Sequence, residues 1–188
     1  MGFALASQLA DAGAQVELVA GPVSISISHP RIHRTDVNTA DEMFETCIKI
    51  FPGCRGAILS AAVADFRPAE KSELKIKKTD QDNDILTLNL VKNKDILASL
   101  GNMKTKNQLL VGFSLETHDE IRFAFEKLKK KNCDLMIMNS LRDEGAGFSG
   151  DTNKVTILTA GDESFEYPKK NKNEVAADIV EFIIRRYF

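Results

Sequence analysis

The sequence predicts a three-layer, Rossmann-like α/β fold with a mainly parallel sheet. Helical and strand patterns alternate along all 188 residues, and this alternation is typical of βαβ units. The length suits one domain with a sizeable core, and no repeat or low-complexity linker divides it. The chain opens in a helical pattern, without the strand that normally precedes it in such folds. We therefore expect a single domain over residues 1–188 that is truncated at its amino terminus and lacks the first strand.

The first third of the chain alternates between two helices and two strands. The expected elements are a helix at Phe3–Ala12, a strand at Gln15–Ala20, a helix from Thr39 to Pro52 and a strand at Gly56–Ser60. Thr39 is followed three residues later by Glu42, which is the capping-box pattern of a helix start. Pro52 then stops the second helix, because proline cannot continue the hydrogen-bond ladder.

The middle of the chain predicts a protruding hairpin and a short helix. Alternating residues at Leu86–Val91 indicate a strand, which we expect to pair with Lys75–Lys78 outside the main sheet. A helix at Lys94–Leu100 follows, with Asn93 as the expected amino-terminal cap and Gly101 as its end.

The last part returns to alternating elements. They are a strand at Leu109–Phe113, a helix at His118–Lys131, a strand at Leu135–Met138, an antiparallel pair formed by Val155–Leu158 and a stretch around Phe165, and a final helix from about Asn171. Glu174 stands at the third position of that helix, where an acid favours the start.

Composition narrows the class of protein. A net charge of -2 gives no electrostatic case for nucleic acid as a partner. Three cysteines without a CxxC pair indicate neither a disulfide framework nor a zinc site, and they favour a reducing compartment. No stretch has the length of a membrane span, and the first residues do not have the pattern of a secretory leader. We expect a cytoplasmic protein with no membrane partner.

The most informative segment is the run from Ser60 to Lys78, S-A-A-V-A-D-F-R-P-A-E-K-S-E-L-K-I-K-K. Small residues follow a buried strand at the sheet edge where ligands of open α/β sheets bind. Asp65 can accept hydrogen bonds from a ribose or base, and the lysines can neutralise phosphates. The run therefore indicates nucleotide binding. An ordinary turn followed by a solvated charge run fits the same residues about as well.

Other motifs favour neither dinucleotide binding nor nucleophilic catalysis. Gly145–Gly150 matches G-x-G-x-x-G, but a strand pattern follows it where the dinucleotide motif requires a helix. A nicotinamide-dependent oxidoreductase is therefore disfavoured. His29, His33 and His118 are scattered and stand in no catalytic or metal-binding context, and no metal ligands are assigned to protein side chains.

Two further segments are candidate phosphate contacts. The helix that starts at Asn93-Lys-Asp-Ile96 offers free backbone N–H groups just after a strand, although simple capping explains the same residues. Lys127 and Lys131 stand four residues apart on the predicted helix at His118–Lys131, beside the apolar face that we expect to be buried. Like charges at this spacing are slightly unfavourable unless an anion offsets them, although many such pairs are merely solvated.

Taken together, these motifs resemble a known family. S-A-A-V-A-D-F-R-P, K-I-K-K, N-K-D-I, V-G-F-S-L-E-T and the K-x-x-x-K of the next helix occur in order. They are similar to the phosphopantothenoylcysteine synthetase domain of bacterial coenzyme A biosynthesis, which is often fused to a flavin-dependent decarboxylase. The similarity runs from Met1 to about Leu158, and A-L-A-x-x-L-A-D-A-G-A near the start fits as well.

The resemblance implies a ligase that joins 4′-phosphopantothenate to cysteine. CTP, with Mg²⁺, would convert the carboxylate into an acyl-cytidylate, and the cysteine amine would then form the amide. Lys75 is the implied catalytic residue and lies on the triphosphate. The implied nucleotide contacts are Leu59, Ser60, Ala61, Asp65, Lys75, Lys94, Asp95, Ile96, Leu97, Phe113, Lys127 and Lys131. Family members are dimers, and the Lys75–Val91 hairpin is the expected interface.

Two departures from the family keep alternatives open. Many members have proline at the position of Lys94, and the family has a strand, a glycine-rich turn and an N-x-S-S-G-K segment before the residues that open this chain. An inactive nucleotide-binding fragment, or a partner subunit for a separate decarboxylase, therefore remains an alternative, and an NADPH-dependent oxidoreductase is a weaker one. The choice of CTP over ATP comes from the resemblance alone.

Overall fold

The computed structural model describes residues 1–70, 72, 74, 87–116, 119–140 and 152–188. These ranges form five α-helices: α1 (Gly2–Asp11), α2 (Ala40–Ile50), α3 (Ile96–Met103), α4 (Glu120–Lys130) and α5 (Lys172–Tyr187). The strands in the first part of the chain and its middle are β1 (Val16–Ala20), β2 (Ile32–Asp36), β3 (Gly56–Leu59), β4 (Phe66–Pro68), β5 (Leu90–Lys92), β6 (Leu109–Glu116) and β7 (Leu135–Ser140). The remaining strands are β8 (Thr152–Asn153), β9 (Val155–Thr159), β10 (Ser164–Glu166) and β11 (Lys170–Asn171). No helix in these ranges is long and apolar enough to cross a membrane.

The central sheet has five strands in the order β10-β9-β7-β6-β3. The pairs β3–β6 and β6–β7 are parallel, whereas β9 joins β7 and β10 in antiparallel fashion. β1 and β2 form a separate parallel pair, so β3 lies at one edge of the central sheet. The predicted mainly parallel sheet and its terminal antiparallel pair are thus both confirmed.

Helices cover both faces of the central sheet and give the three predicted layers. Val111 of β6 packs into a cluster with Leu5 of α1 and Ile179 of α5. Its neighbour Leu110 points to the other face, into a cluster with Leu128 of α4 and residues of α2 and α3. This period-two alternation within a strand buried on both faces explains the near-continuous apolar run of the sequence.

Two helix starts follow the prediction. Thr39 accepts a hydrogen bond from the Glu42 N–H at 3.1 Å and caps α2. Asn171 accepts from the Glu174 N–H at 3.0 Å, and the Glu174 carboxylate accepts from the Asn171 N–H at 3.1 Å, which completes a capping box on α5. Short polar side chains satisfy N–H groups that the first helical turn leaves without partners.

The prediction for α3 was wrong at both ends. Its cap is Asp95, whose carboxylate accepts from the Ala98 N–H at 2.9 Å, and not Asn93. The helix also continues past Gly101 to Met103. Asn93 and Asp95 are both favourable capping residues, so local preference did not separate them.

Two strand assignments also differ from expectation. β2, with the sequence I-H-R-T-D, was missed because it has too few apolar residues to show a strand pattern. β5 pairs antiparallel with β4, which was also missed, and the two form a sheet apart from the central one. The predicted pairing of Lys75–Lys78 lies outside the described residues.

Gly101 sits where α3 meets the turn between α4 and β7. A Cβ atom at this position would lie 1.9 Å from the Lys131 carbonyl oxygen, which is far inside van der Waals contact. The Asn132 side chain fixes the approach by donating to the Gly101 carbonyl at 2.7 Å. Glycine is required here because of this contact, and not because it ends the helix.

Replacing Gly101 with alanine should destabilise the domain, because the methyl group would push α3 away from the turn after α4. We expect a loss of about 1–3 kcal/mol in the free energy of unfolding, the usual cost of overpacking. Gly53→Ala is the matched control, since a Cβ there meets no atom within 4 Å. Urea denaturation of both variants measures the difference, and equal stabilities would contradict this account of Gly101.

Candidate functional site

Two predicted site segments meet at the carboxyl edge of the sheet. The segment that leaves β3 runs past the start of α3, where the Asp65 carbonyl accepts a hydrogen bond from the Asn93 N–H at 2.8 Å. The Asn93 side-chain amide donates to the Ala64 carbonyl, also at 2.8 Å. Asp65 itself is exposed. The structure therefore brings the Asp65 segment next to the first turn of α3, although Asn93 lies 28 positions after Asp65 in the sequence.

Arg67 reinforces this junction and was not singled out from the sequence. Its guanidinium donates to the Asn93 side-chain oxygen at 2.7 Å and lies 3.4 Å from a carboxylate oxygen of Asp41 in α2. The guanidinium thus ties β4 to both α2 and the start of α3. The sequence feature that could have indicated Arg67 is its position two residues after Asp65, in A-D-F-R-P.

The residues that leave β3 provide an exposed backbone. Leu59 ends the strand and packs partly into the cluster shared with α3 and α4, whereas Ala61 is exposed. Ser60 lies close to the start of α1, because a Cβ on Gly2 would be 2.8 Å from the Ser60 hydroxyl oxygen. The backbone from Ser60 to Ala64 is consequently accessible at the sheet edge.

The start of α3 combines buried anchors with exposed polar groups. Ile96 is buried and Leu97 is half-buried against Gly112 of β6, so this end of the helix is fixed to the core. The N–H groups of Ile96 and Leu97 stand in the first turn, where no intrahelical acceptor exists. Lys94 is exposed and holds its ammonium 4.8 Å from the centre of the Phe44 ring. These groups form an environment that favours an anion.

Asp95 and Lys131 form an ion pair between the two helices that flank this corner. One oxygen of Asp95 caps α3, and the other accepts from the Lys131 ammonium. Burial by itself would raise the pKa of Asp95. The hydrogen bonds from Lys131 and from the Ala98 N–H, with the charges of Lys131 and Lys92, outweigh burial, so that the pKa lies below its usual value.

The remaining predicted residues do not all lie on the α3 face of the sheet. Lys127 is half-buried in the last turn of α4, one turn before Lys131. Phe113 packs into the cluster formed with α1 and α5, which is on the face of the sheet opposite α3. Lys75 lies outside the described residues. The structure therefore joins Asp65 to the start of α3 and Asp95 to Lys131, but it does not bring Phe113 to the α3 face.

Thiol and metal chemistry have little support among the described residues. Burial raises the pKa of all three cysteine thiols, and that of Cys133 reaches about 12. A thiol with a raised pKa carries little of the nucleophilic thiolate at neutral pH. Within the described ranges, no group of three or more His, Cys, Asp or Glu side chains is placed to hold a metal ion.

The open, mainly parallel sheet and the site at its carboxyl edge define a Rossmann-like α/β domain. The chain belongs to the family of the DNA/pantothenate metabolism flavoprotein C-terminal domain, whose pattern matches residues 1–187. Its fold is also similar to a crystal structure of the C-terminal domain of the coenzyme A biosynthesis bifunctional protein CoaBC. That similarity has a TM-score of 0.77 at 30% identity and covers 96% of this chain and 79% of the other.

Curated relatives resemble nearly the whole chain. The coenzyme A biosynthesis bifunctional protein CoaBC of Bacillus subtilis (strain 168) is 39% identical over 97% of this chain and 44% of its own length. A cysteine/cysteine sulfinic acid decarboxylase from an unknown prokaryotic organism is 48% identical over 98% of this chain and 50% of its own length. The chain thus spans about half the length of the curated relatives it matches.

The two roles of Asp95 can be separated by mutation. Asp95→Asn keeps an oxygen that can cap α3 but removes the charge that holds Lys131, whereas Asp95→Ala removes both. We expect Asp95→Ala to lose about 0.5–2 kcal/mol from the cap alone, and Asp95→Asn to lose less. Thermal and urea unfolding at pH 7 measure both losses. Equal losses in the two variants would contradict the capping role.

The ion pair should also depend on pH. The pKa of Asp95 is lowered in the folded protein, so the stabilisation is complete above the unfolded value of about 3.9. It is lost as pH falls through the lower, folded pKa. The stability difference between the wild type and Asp95→Asn should therefore be constant from pH 7 to 5 and shrink below pH 4. A difference that grew on acidification would reverse the sign of this linkage.

Proposed function

We propose that this domain is a phosphopantothenate–cysteine ligase that uses CTP in coenzyme A biosynthesis. The observation that carries the proposal is the match to CoaBC relatives over 97% of the chain. The adjacency of the Asp65 segment and the first turn of α3 supports it, because these two segments would hold opposite ends of one nucleotide. The oxidoreductase alternative has no comparable support.

The chemistry requires activation of a carboxylate. A carboxylate is a poor electrophile because its negative charge repels an amine. An oxygen of the 4′-phosphopantothenate carboxylate attacks the α-phosphorus of CTP, and pyrophosphate leaves with the electrons of the broken P–O bond. The cysteine amine then attacks the acyl carbon, the amide forms, CMP leaves and the amine releases a proton. Two sequential displacements thus replace one difficult condensation.

The residues of the chain have separate roles in this scheme. Asp65 accepts hydrogen bonds from the nucleoside, with the backbone of Leu59, Ser60 and Ala61 beside it. The segment from Lys94 to Leu97, which enters the first turn of α3, receives the phosphates at the positive end of a helix. Lys75, Lys127 and Lys131 add positive charge where negative charge collects in the transition state. The resemblance also implies a contact from Phe113, which would have to reach the nucleotide around the carboxyl end of β6, because Phe113 packs on the face of the sheet opposite α3.

The Asp95–Lys131 ion pair adds a constraint to this scheme. A phosphate that binds Lys131 competes with the Asp95 carboxylate for the same ammonium. Mg²⁺ would arrive with the nucleotide, since this ion commonly binds substrate phosphates with few protein ligands, and it would neutralise phosphate charge. The affinity for the triphosphate therefore depends on the combined positive charge of the lysines and Mg²⁺.

A dimer, through the segment from Lys75 to Val91, is part of the proposal. The described part of this segment and the paired strand β4 carry exposed apolar side chains. They are Phe66, Leu88, Leu90 and Val91. Such side chains on a two-stranded sheet favour burial against a second surface. A cytoplasmic location fits the substrates that we propose.

A second candidate function is that of a nucleotide-binding partner, separate from or fused to a decarboxylase. The observation that favours it is the 48% identity to a protein named as a cysteine/cysteine sulfinic acid decarboxylase, of which this chain covers 50%. In that case the domain would bind CTP but form no amide by itself.

The assay that separates these functions supplies the 188-residue chain with CTP, Mg²⁺, 4′-phosphopantothenate and cysteine, and detects products by mass spectrometry. Phosphopantothenoylcysteine supports the ligase. Acyl-cytidylate without amide places the fault in the second half-reaction. Binding of CTP without either product supports the second candidate, and the absence of both binding and products contradicts both functions.

Lys75→Gln tests the proposed catalytic residue. The neutral side chain cannot stabilise charge on the triphosphate. We therefore expect the rate of acyl-cytidylate formation to fall by at least about 100-fold, as is usual when one such electrostatic contact is lost. Lys106→Gln is the matched control, since Lys106 borders a groove at the opposite edge of the sheet. Circular dichroism checks that both variants fold. Near-normal formation of the intermediate by Lys75→Gln would remove Lys75 from this role.

A further inference from the structure

Asn93 uses every polar group of its side chain to hold the Asp65 segment. Its amide nitrogen donates to the Ala64 carbonyl at 2.8 Å, and its amide oxygen accepts from Arg67 at 2.7 Å. Its backbone N–H donates to the Asp65 carbonyl at 2.8 Å. Asn93 thus contacts three of the four residues from Ala64 to Arg67, and it stands just before α3.

The helix itself does not need the Asn93 side chain. Asp95 already caps α3, because its carboxylate accepts from the Ala98 N–H at 2.9 Å and its carbonyl accepts from the Ser99 N–H at 3.0 Å. An asparagine at this place would ordinarily be assigned to capping. Because its side chain points away from the helix and to the Asp65 segment, its role concerns the position of that segment.

The two joined segments are anchored very differently. α3 is fixed by Ile96 and Leu100, which are 7% and 1% exposed, and by the Asp95–Lys131 ion pair. The segment from Ala61 to Asp65 is exposed apart from Val63, so it has few contacts of its own to the core. Asn93 therefore transfers the fixed position of α3 to a segment that would otherwise have few constraints.

We propose that Asn93 is a positioning residue that holds Asp65 at a set separation from the first turn of α3. This inference rests on the proposed function, in which Asp65 contacts the nucleoside and α3 contacts the phosphates. When one ligand bridges two sites, its affinity depends on how well their separation matches the ligand. Asn93 then controls the affinity for the intact nucleotide more than the affinity for either half.

The chain offers variants that separate the contacts. Asn93→Ala removes both side-chain hydrogen bonds. Asn93→Asp keeps the oxygen that accepts from Arg67 but replaces the donor to Ala64 with an acceptor, which cannot pair with a carbonyl. Arg67→Gln is the matched control, because it weakens the contact to Asn93 but leaves the Ala64 hydrogen bond in place. All three variants keep the backbone N–H at position 93.

The first measurement is amide hydrogen exchange without nucleotide. In Asn93→Ala, exchange of the N–H at position 93, which donates to the Asp65 carbonyl, should rise by about tenfold, because the side-chain hydrogen bonds that hold this acceptor in place are lost. Exchange in α3 from Ser99 onward should stay within twofold of wild type. Unchanged exchange of the N–H at position 93 overturns the positioning role whether or not the domain binds CTP. Asn93→Asp provides the same test if Asn93→Ala does not fold.

The second measurement is calorimetric titration with Mg²⁺ and CTP, CMP or pyrophosphate. For Asn93→Ala we expect the Kd of CTP to rise by about tenfold, whereas the Kd values of CMP and pyrophosphate stay within about twofold of wild type. The nucleotide KM should rise in parallel, with kcat at saturating CTP little changed. Arg67→Gln should have a smaller effect on CTP.

The outcomes distinguish the two proposals. Equal losses of affinity for CTP, CMP and pyrophosphate indicate general damage to the binding site and overturn the role of Asn93. A wild-type chain that binds CTP, with Asn93→Ala unchanged, also overturns that role while the proposed function stands. A wild-type chain that binds none of the three ligands overturns both.

Discussion

The junction between the Asp65 segment and the first turn of α3 is the constraint on which the site depends. Asn93 donates two hydrogen bonds and accepts one, and these three bonds hold a mostly exposed segment against a helix start that is fixed in the core. Neither segment alone is more than a turn or a helix terminus. Joined, they place an acid and a set of free N–H groups at one edge of the sheet, which is an arrangement suited to an anionic ligand with a polar end.

The packing behind this junction is equally specific. α3 approaches the turn after α4 so closely that position 101 has no room for a side chain. The same turn supplies Lys131, which reaches back to the cap of α3. α3 is therefore fixed by a backbone contact near its carboxyl end and by an ion pair at its start. Because the core is closely packed, a shift of α3 would displace the residues of the candidate site.

The sequence predicted the layers and the mainly parallel sheet because these depend on local periodicity. Leu110 and Val111 alternate between two helical layers, and such alternation is visible in the residues themselves. The capping box of α5 was equally legible. By contrast, β2 was missed since its residues are largely polar, and the cap of α3 was assigned to Asn93 because Asn and Asp are comparable caps.

The sequence indicated residues of the candidate site but not their contacts. Motif order indicated Asp65, the start of α3 and the two lysines at the end of α4. The partners of Asn93 and Lys131, however, lie 29 and 36 residues away in sequence, at Ala64 and Asp95. Such pairings depend on how distant segments pack in the folded protein, and this packing leaves no pattern in the local sequence. Arg67 was overlooked for the same reason, since its partners Asp41 and Asn93 come from two other elements.

The most direct test of this account is an NMR titration of the isotopically labelled chain with CTP and Mg²⁺. The account predicts that the amide signals of residues 60–65 and 94–97 shift together with a single Kd, while those of Arg55 and Lys106, at the opposite edge of the sheet, stay in place. Shifts confined to the opposite edge, or shifts of the two segments with different Kd values, would contradict a shared nucleotide site.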